Sequence, residues 1–326
     1  MRRSRTALLS ALLISLAMPL AAAPVLARDA AASQHDRTVS YWTRDRIANA
    51  QPRDFDRALD GQMTARKGKP PGGGTGSVIG ASWTRGGQVL RTTGKVVFTL
   101  NSGDYICTGT VVTDGTTGRS IVVSAAHCAW DGADGGFARN WMFIPEFDTT
   151  PTYTCSQAKW GCWTASALVV NRGFTSAGGF NDQAVQYDWS FAVVTAAGTK
   201  GTTLDVAVGS FELLTTTMAT GTKVFDFGYP AAGKYHGRDL IYCADDIFTD
   251  PLVANRTFGI DCDMTGGSSG GPWLFPFSET TGIGTVRAVN SYGYSGVKKE
   301  YASKFNQNTA NTFGAAKTAS SNTIVN

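Results

Sequence analysis

The sequence predicts an all-β fold of barrel or sandwich type, and three observations carry that prediction. Short runs of apolar and β-branched residues recur from about Ser82 onward. Clusters of Gly, Asp and Thr separate them, and no stretch sustains a long 3.6-residue apolar period. The 38 glycines in 326 residues supply the turns that so many short strands need.

Taken in order, Lys95–Leu100, Thr108–Val112 and Ser120–Ser124 read as the first strands, followed by Ala167–Val170 and Ser190–Val194. Lys223–Gly228, Leu240–Cys243, Pro272–Phe275 and Val286–Tyr292 form a second group. Each is short, rich in Val, Ile, Phe or Tyr, and bounded by turn residues. This length of chain can bury two modest cores, one for each group. Glu300 to Lys317 has a weak helical pattern and reads as a closing helix.

The N-terminus lies outside that pattern. Arg2, Arg3 and Arg5 precede the apolar run Ala7 to Leu20, and Val25-Leu26-Ala27 fits a small-x-small cleavage site. Residues 1–27 therefore read as a signal peptide. The run is alanine-rich and carries Pro19 and Pro24, which argues against a retained membrane span. Residues 28–80 read as a pro-segment or linker. Little in them demands burial, a short helix is expected within Ile47 to Leu59, and they close on the run Lys67-Gly68-Lys69-Pro70-Pro71-Gly72-Gly73-Gly74. Residues 81–326 form the folded domain. Residues 1–80 hold 12 of the 29 Lys/Arg and 6 of the 25 Asp/Glu, leaving 17 basic against 19 acidic residues beyond. The pI near 8.7 thus reflects the leader and gives no argument for nucleic-acid binding.

All six cysteines follow residue 100, an even number that fits oxidation after export, to the periplasm or outside the cell. Fifteen pairings are possible in principle. Cys107 and Cys128 bracket a strand pair, Cys155 and Cys162 lie close enough to close a short loop, and Cys243 and Cys262 sit on successive strands, so these three bridges are expected. With no CxxC and three histidines, neither a metal nor another cofactor is expected.

Three clusters carry chemistry. His127 ends an apolar strand in Ser124-Ala125-Ala126-His127-Cys128, where small neighbours leave room for a ring to project into a cleft. Asp188 opens the strand of Tyr187-Asp188-Trp189-Ser190-Phe191 and is placed to accept an imidazole N–H and fix its tautomer. Asp182 is its rival, but no apolar strand follows it. In Thr265-Gly266-Gly267-Ser268-Ser269-Gly270-Gly271-Pro272, glycines let successive backbone N–H groups point at one spot. Gly267 and Ser269 are the candidate oxyanion donors and Ser269 the candidate nucleophile. The pattern also matches G-x-S-x-G, yet that elbow needs a histidine after the serine. His35, His127 and His236 all precede Ser269, so the order is His, Asp, Ser. His236, in a polar loop, is expected to be exposed. Asp131 to Gly136 reads as a turn, since it lacks the closing glutamate of a calcium loop.

The histidine and serine clusters resemble the two signature boxes of the trypsin/chymotrypsin-like serine peptidases, and Asp188 falls between them as that family requires. Asp261-Cys262-Asp263-Met264-Thr265-Gly266-Gly267 is similar to the approach to the nucleophile in the bacterial glutamyl endopeptidases. The resemblance covers about residues 82–300. It implies two antiparallel six-stranded β-barrels with the active site in the cleft between them, acting on protein or peptide substrates; nothing in the sequence suggests an interface, so a monomer is expected. It makes Ser291, Tyr292 and Gly293 the strand that pairs with substrate. It sets Asp263, six residues before Ser269, where trypsin carries the aspartate that selects Lys and Arg. Two departures stand out. Ser268 replaces the aspartate that switches on the digestive zymogens, and Val289 to Gly293 lacks the histidine with which glutamyl endopeptidases hold glutamate. The rival readings are a catalytically silent binding protein on the same fold and a secreted esterase.

Overall fold

A computed structural model describes residues 34–57, 63–65, 77–101, 103–147, 154–195 and 201–326; the expected signal peptide and the Lys67–Gly74 run lie outside them. Thr93–Leu100 (β1), Gly103–Val112 (β2), Arg119–Ser124 (β3), Arg139–Pro145 (β4), Trp163–Asn171 (β5) and Ser190–Thr195 (β6) pair in the order β2-β1-β4-β5-β6-β3. A further ladder, from Thr110 opposite Val123 to Val112 opposite Ile121, joins β2 to β3 and closes a six-stranded barrel.

Lys223–Gly228 (β7), Ile241–Asp246 (β8), Thr257–Asp261 (β9), Pro272–Ser278 (β10), Ile283–Tyr294 (β11) and Lys299–Ser303 (β12) form the second sheet, in the order β9-β12-β11-β10-β7-β8. Among the described residues no ladder joins β8 to β9, so this sheet curls into a half-barrel. Other bonds hold the gap. Cys243 of β8 is disulfide-bonded to Cys262 just after β9, and the Asp261 N–H donates to Asp245 Oδ2 at 3.0 Å. Val78–Ser82 pairs with the free edge of β8, so the second sheet begins slightly before the residue 81 boundary drawn from sequence. Cys107–Cys128 and Cys155–Cys162 are the other two bridges.

The strands of the barrel are apolar on both faces because both are covered. Val96 and Phe98 of β1, Val122 of β3 and Ala192 and Val194 of β6 enter one cluster. Val97, Ile121, Val123, Phe191 and Val193, the alternate residues, enter another that also contains Phe227, Leu274 and Val286 of the second sheet. β4, β9 and β12 were not evident in the sequence. Lys299–Ser303 is a polar-rich strand held between two neighbours, so the closing helix starts later, at Gln307, capped by Asn306 and Thr309.

Residues 34–57, within the stretch read from sequence as a pro-segment or linker, differ most from expectation. Residues 34–41 are helical, a second helix spans Arg44–Asn49, and Trp42, Ile47 and Ala50 are buried against the barrel. Trp42 Nε1 donates to the Asn140 carbonyl at 2.6 Å, and Gln51–Pro52 pairs with Tyr105–Ile106 of β2. The helix stops at Asn49, where the chain becomes extended, rather than running toward Leu59. These apolar residues are too widely spaced to make a period, but each finds its own site.

Lys95 of β1 is buried, with Nζ 3.9 Å from the centroid of the Phe147 ring and 2.5 Å from the Gly237 carbonyl. Burial, and then the nearby Arg238 charge, lower its amine to about 7. An unfolded lysine keeps its ordinary value near 10.5, so between these values the unfolded chain binds more protons than the folded one. Stability from this group therefore rises with pH from about 7 to about 10.5 and is flat below. Lys95→Met, of similar volume, is expected to stabilise the fold by roughly 1–3 kcal/mol near pH 7, with the gain shrinking toward pH 10. Urea unfolding at the two pH values checks this; a gain that grows with pH contradicts it.

Candidate active site

His127 sits on a single 3-10 turn, Ala126–Cys128, that ends β3. Ser190 Oγ donates to the Ala125 carbonyl at 2.8 Å, and the Cys107–Cys128 bridge ties the turn to β2. Both His127 and Asp188 are buried. Asp188 Oδ2 lies 2.7 Å from His127 Nδ1, and Asp188 Oδ1 accepts the His127 backbone N–H at 2.9 Å. Ser291 Oγ donates to the same Oδ2 at 2.6 Å, so the carboxylate is held from three directions. Ser303 of β12 fixes its backbone: Asp188 N–H donates to Ser303 Oγ at 3.2 Å, and Ser303 Oγ donates to the Val185 carbonyl at 2.6 Å.

The Ser269 loop packs at the end of β3 that carries His127, with the Ser269 carbonyl 4.0 Å from Cys128 Sγ. Gly267 and Gly270 have φ of +103° and +81°, a region costly for other residues. A Cβ on Gly270 would lie 2.1 Å from Ser124 Oγ and 2.4 Å from the Thr108 carbonyl, so glycine is required there. Thr108 of β2 is the anchor between the two halves. Its N–H donates to the Ser269 carbonyl at 2.8 Å, and its hydroxyl donates to the Gly267 carbonyl and accepts from the Tyr229 N–H.

A buried brace beneath the loop was not found from sequence. Asn290 accepts the Gly270 N–H at 2.8 Å through its carbonyl and donates its own N–H to the Gly271 carbonyl at 2.9 Å. Its side chain donates to Asp226 Oδ1 at 2.7 Å and to the Ser268 carbonyl at 3.3 Å, and accepts Trp273 Nε1–H at 2.6 Å. The loop therefore rests on neutral and charged partners from β7, β10 and β11, and Ser268 contributes no carboxylate. One signal was available: Asp226 interrupts the apolar strand Lys223-Val224-Phe225-Asp226-Phe227, and a carboxylate at such a place needs a partner.

Of the expected substrate strand, Ser291 has its hydroxyl engaged by Asp188, as above. Tyr292 is buried, its ring 5.0 Å from that of Tyr301, and its hydroxyl donates to Asp250 Oδ2 at 2.6 Å. Burial first, and the Asp250 charge second, push that phenol well above its usual range. Asp263, the candidate specificity residue, has partners within the chain. Its carboxylate is buried, lies 3.0 Å from Lys234 Nζ and 3.5 Å from Lys298 Nζ, and also accepts the Tyr235 hydroxyl. Two lysines of the chain itself thus lie beside the carboxylate expected from sequence to meet a Lys or Arg of the substrate.

The remaining candidates fall outside the site. Asp182 and His236 are exposed. Asp131 Oδ1 caps its own turn by accepting the Ala133 and Asp134 N–H groups. His35 is 8% exposed and meets Thr164 Oγ1 at 3.1 Å, far along the barrel. The two Cys-containing clusters near His127 and Asp226 each have both their cysteines in a disulfide, which leaves no thiolate for a metal.

No family model and no curated protein matches the chain. Solved structures do. The protease Anisep of Arthrobacter nicotinovorans is 33% identical, over 74% of this chain and 100% of its own, with a TM-score of 0.62. The thermostable serine protease AL20 of an extremophilic microorganism is 31% identical, over 71% and 99%, with a TM-score of 0.60. A Glu endopeptidase shares the fold at 18% identity and a TM-score of 0.55, over 75% and 99%. Identity at this level over the whole length of two bacterial proteases, together with the paired sheets, places the chain: it belongs to the trypsin/chymotrypsin-like serine peptidases.

Proposed function

We propose that the protein is a secreted serine endopeptidase, made with a signal peptide (1–27) and a pro-segment (28–80) ahead of the peptidase domain (81–326). Ser269 is the nucleophile, His127 its base and Asp188 the partner of the base. The observation that carries this reading is the buried 2.7 Å bond between His127 Nδ1 and Asp188, next to a glycine-framed serine loop. Donation of Nδ1–H to Asp188 leaves Nε2 as the acceptor, as a base requires.

His127 takes the Ser269 proton as the hydroxyl attacks a peptide carbonyl. The Gly267 and Ser269 N–H groups receive the oxyanion, and losing one such donor costs about 3 kcal/mol of transition-state stabilisation. His127 then protonates the leaving amine, and water hydrolyses the acyl-enzyme by the same steps in reverse. These steps call for no metal or organic cofactor. Ser291 to Gly293 line the substrate strand. Three disulfides favour an extracellular or periplasmic site of action, and no helix among the described residues is long and apolar enough to cross a membrane.

Digestion of a mixed peptide library by the processed protein, beside matched ester substrates, tests the reading. Peptide cleavage is expected, with no dominance of cuts after Lys or Arg, because Asp263 is already ion-paired. Ester cleavage alone would make the protein an esterase, and no turnover of either would make it a binding protein.

A further inference from the structure

The cleft is filled by the chain itself. Asp54 is 2% exposed, and its Oδ2 accepts the Gly267 N–H at 2.9 Å, the group assigned above to the oxyanion. The next residue, Phe55, lies with its ring centroid 5.4 Å from that of His127 at 90°, and stacks on Phe180 at 4.1 Å. Phe180 in turn meets the His127 ring edge-on at 5.3 Å. Phe55–Arg57 then forms a parallel ladder with Tyr292–Tyr294, the strand expected to hold substrate. Arg53 anchors the other side. Its guanidinium is 5.1 Å from the centroids of the Phe55 and Tyr105 rings, and it pairs with Asp131 at 3.5 Å.

The chemistry of this contact is not that of a substrate. An attack by Ser269 needs an electrophilic carbonyl whose oxygen moves into the Gly267 donor as charge develops. Asp54 instead offers a side-chain carboxyl group, whose carbon resists attack by a hydroxyl far more than a peptide carbonyl does. Phe55 and Phe180 meanwhile cover the base: His127 Nε2 is buried with no hydrogen-bond partner among the described residues. A Cβ built on Gly266 would lie 2.6 Å from Pro52 Cβ, so the segment is seated closely on the loop.

We propose that Asp54-Phe55 is a built-in, uncleavable ligand of the catalytic cleft, and that the vacated cleft takes peptides of the same chemistry, an aspartate followed by an aromatic residue, as reversible inhibitors. The inference rests on the assignment of Ser269 as nucleophile. It gives the pro-segment a specific inhibitory group, a carboxylate in the oxyanion donor, where a merely steric plug would need none.

The test uses the intact chain from residue 28, checked by mass, with Asp54→Ala, Asp54→Asn and Phe55→Ala. Reaction of Ser269 with a small fluorophosphonate and hydrolysis of a peptide substrate are both measured. Asp54→Ala and Phe55→Ala are expected to raise both rates at least tenfold, and Asp54→Asn, which keeps the shape and loses the charge, to raise them less. A synthetic peptide of residues 51–57 added to the Asp54→Ala chain is expected to restore inhibition, and the same peptide with alanine at the Asp54 position is expected to fail. Equal rates in the intact wild type and all three variants would overturn the proposal, as would equal inhibition by the two peptides. Silence of every chain, including one clipped within Lys67–Gly74, would overturn the Ser269 assignment and this proposal with it.

Discussion

Ser269→Ala is expected to lower kcat for peptide hydrolysis by about 10⁵–10⁶-fold while leaving the fold and substrate binding nearly unchanged. In the proposed mechanism this hydroxyl forms the acyl bond, and a methyl group in its place cannot. Ser268, the adjacent hydroxyl, is fully buried on the far side of the loop, with Oγ lacking a hydrogen-bond partner among the described residues. The change removes one oxygen at a position whose backbone is fixed by Thr108 and by the Asn290 contacts to either side. Thermal unfolding should therefore match the wild type. Residual activity above one part in a thousand would mean that another group attacks.

Asp188→Asn is expected to cost about 10⁴-fold in kcat with little change in KM. The wild-type carboxylate only accepts, from His127 Nδ1, the His127 backbone N–H and Ser291 Oγ. An amide in its place carries two N–H donors, and turning one toward Nδ1 drives the ring proton onto Nε2. His127 then has no lone pair facing the serine. A structural role alone would lower stability rather than kcat. The split between kcat and KM, measured with thermal unfolding on the same sample, separates the two.

The pairing of His127 with Asp188 and the glycine-framed turn at Ser269 were legible because such arrangements demand particular residue types in particular local settings. His127 sits among small residues at a strand end, and Ser269 among glycines that admit φ near +100° and +80°. Asp188 was placed by chain order and by the apolar strand it opens. The barrels were legible as short apolar runs, and the disulfides by the strands that Cys107, Cys128, Cys243 and Cys262 flank and the short spacing of Cys155 and Cys162. What was not legible depends on distant partners of common type. Asn290, Asp226 and Ser303 are ordinary polar residues until the fold sets them under the loop or behind Asp188. Asp263 looked like a free specificity charge because Lys234 and Lys298, which neutralise it, come from separate loops. Residues 28–80 looked unpacked from sequence because Trp42, Ile47 and Phe55 have no common period; each docks on a different part of the domain. Among the described residues no ladder joins β8 to β9 in the second barrel, and the Cys243–Cys262 bridge spans that gap, a role that pattern alone did not reveal.

The central claim is that one serine, activated by the His127–Asp188 pair, performs the chemistry. Reacting the processed protein with a fluorophosphonate and mapping the adduct by peptide mass spectrometry tests this most directly. The account predicts a single adduct on Ser269, lost in Ser269→Ala and slowed by several orders of magnitude in Asp188→Asn. An adduct on any other residue, or labelling of Ser269 at the same rate without Asp188, would contradict it.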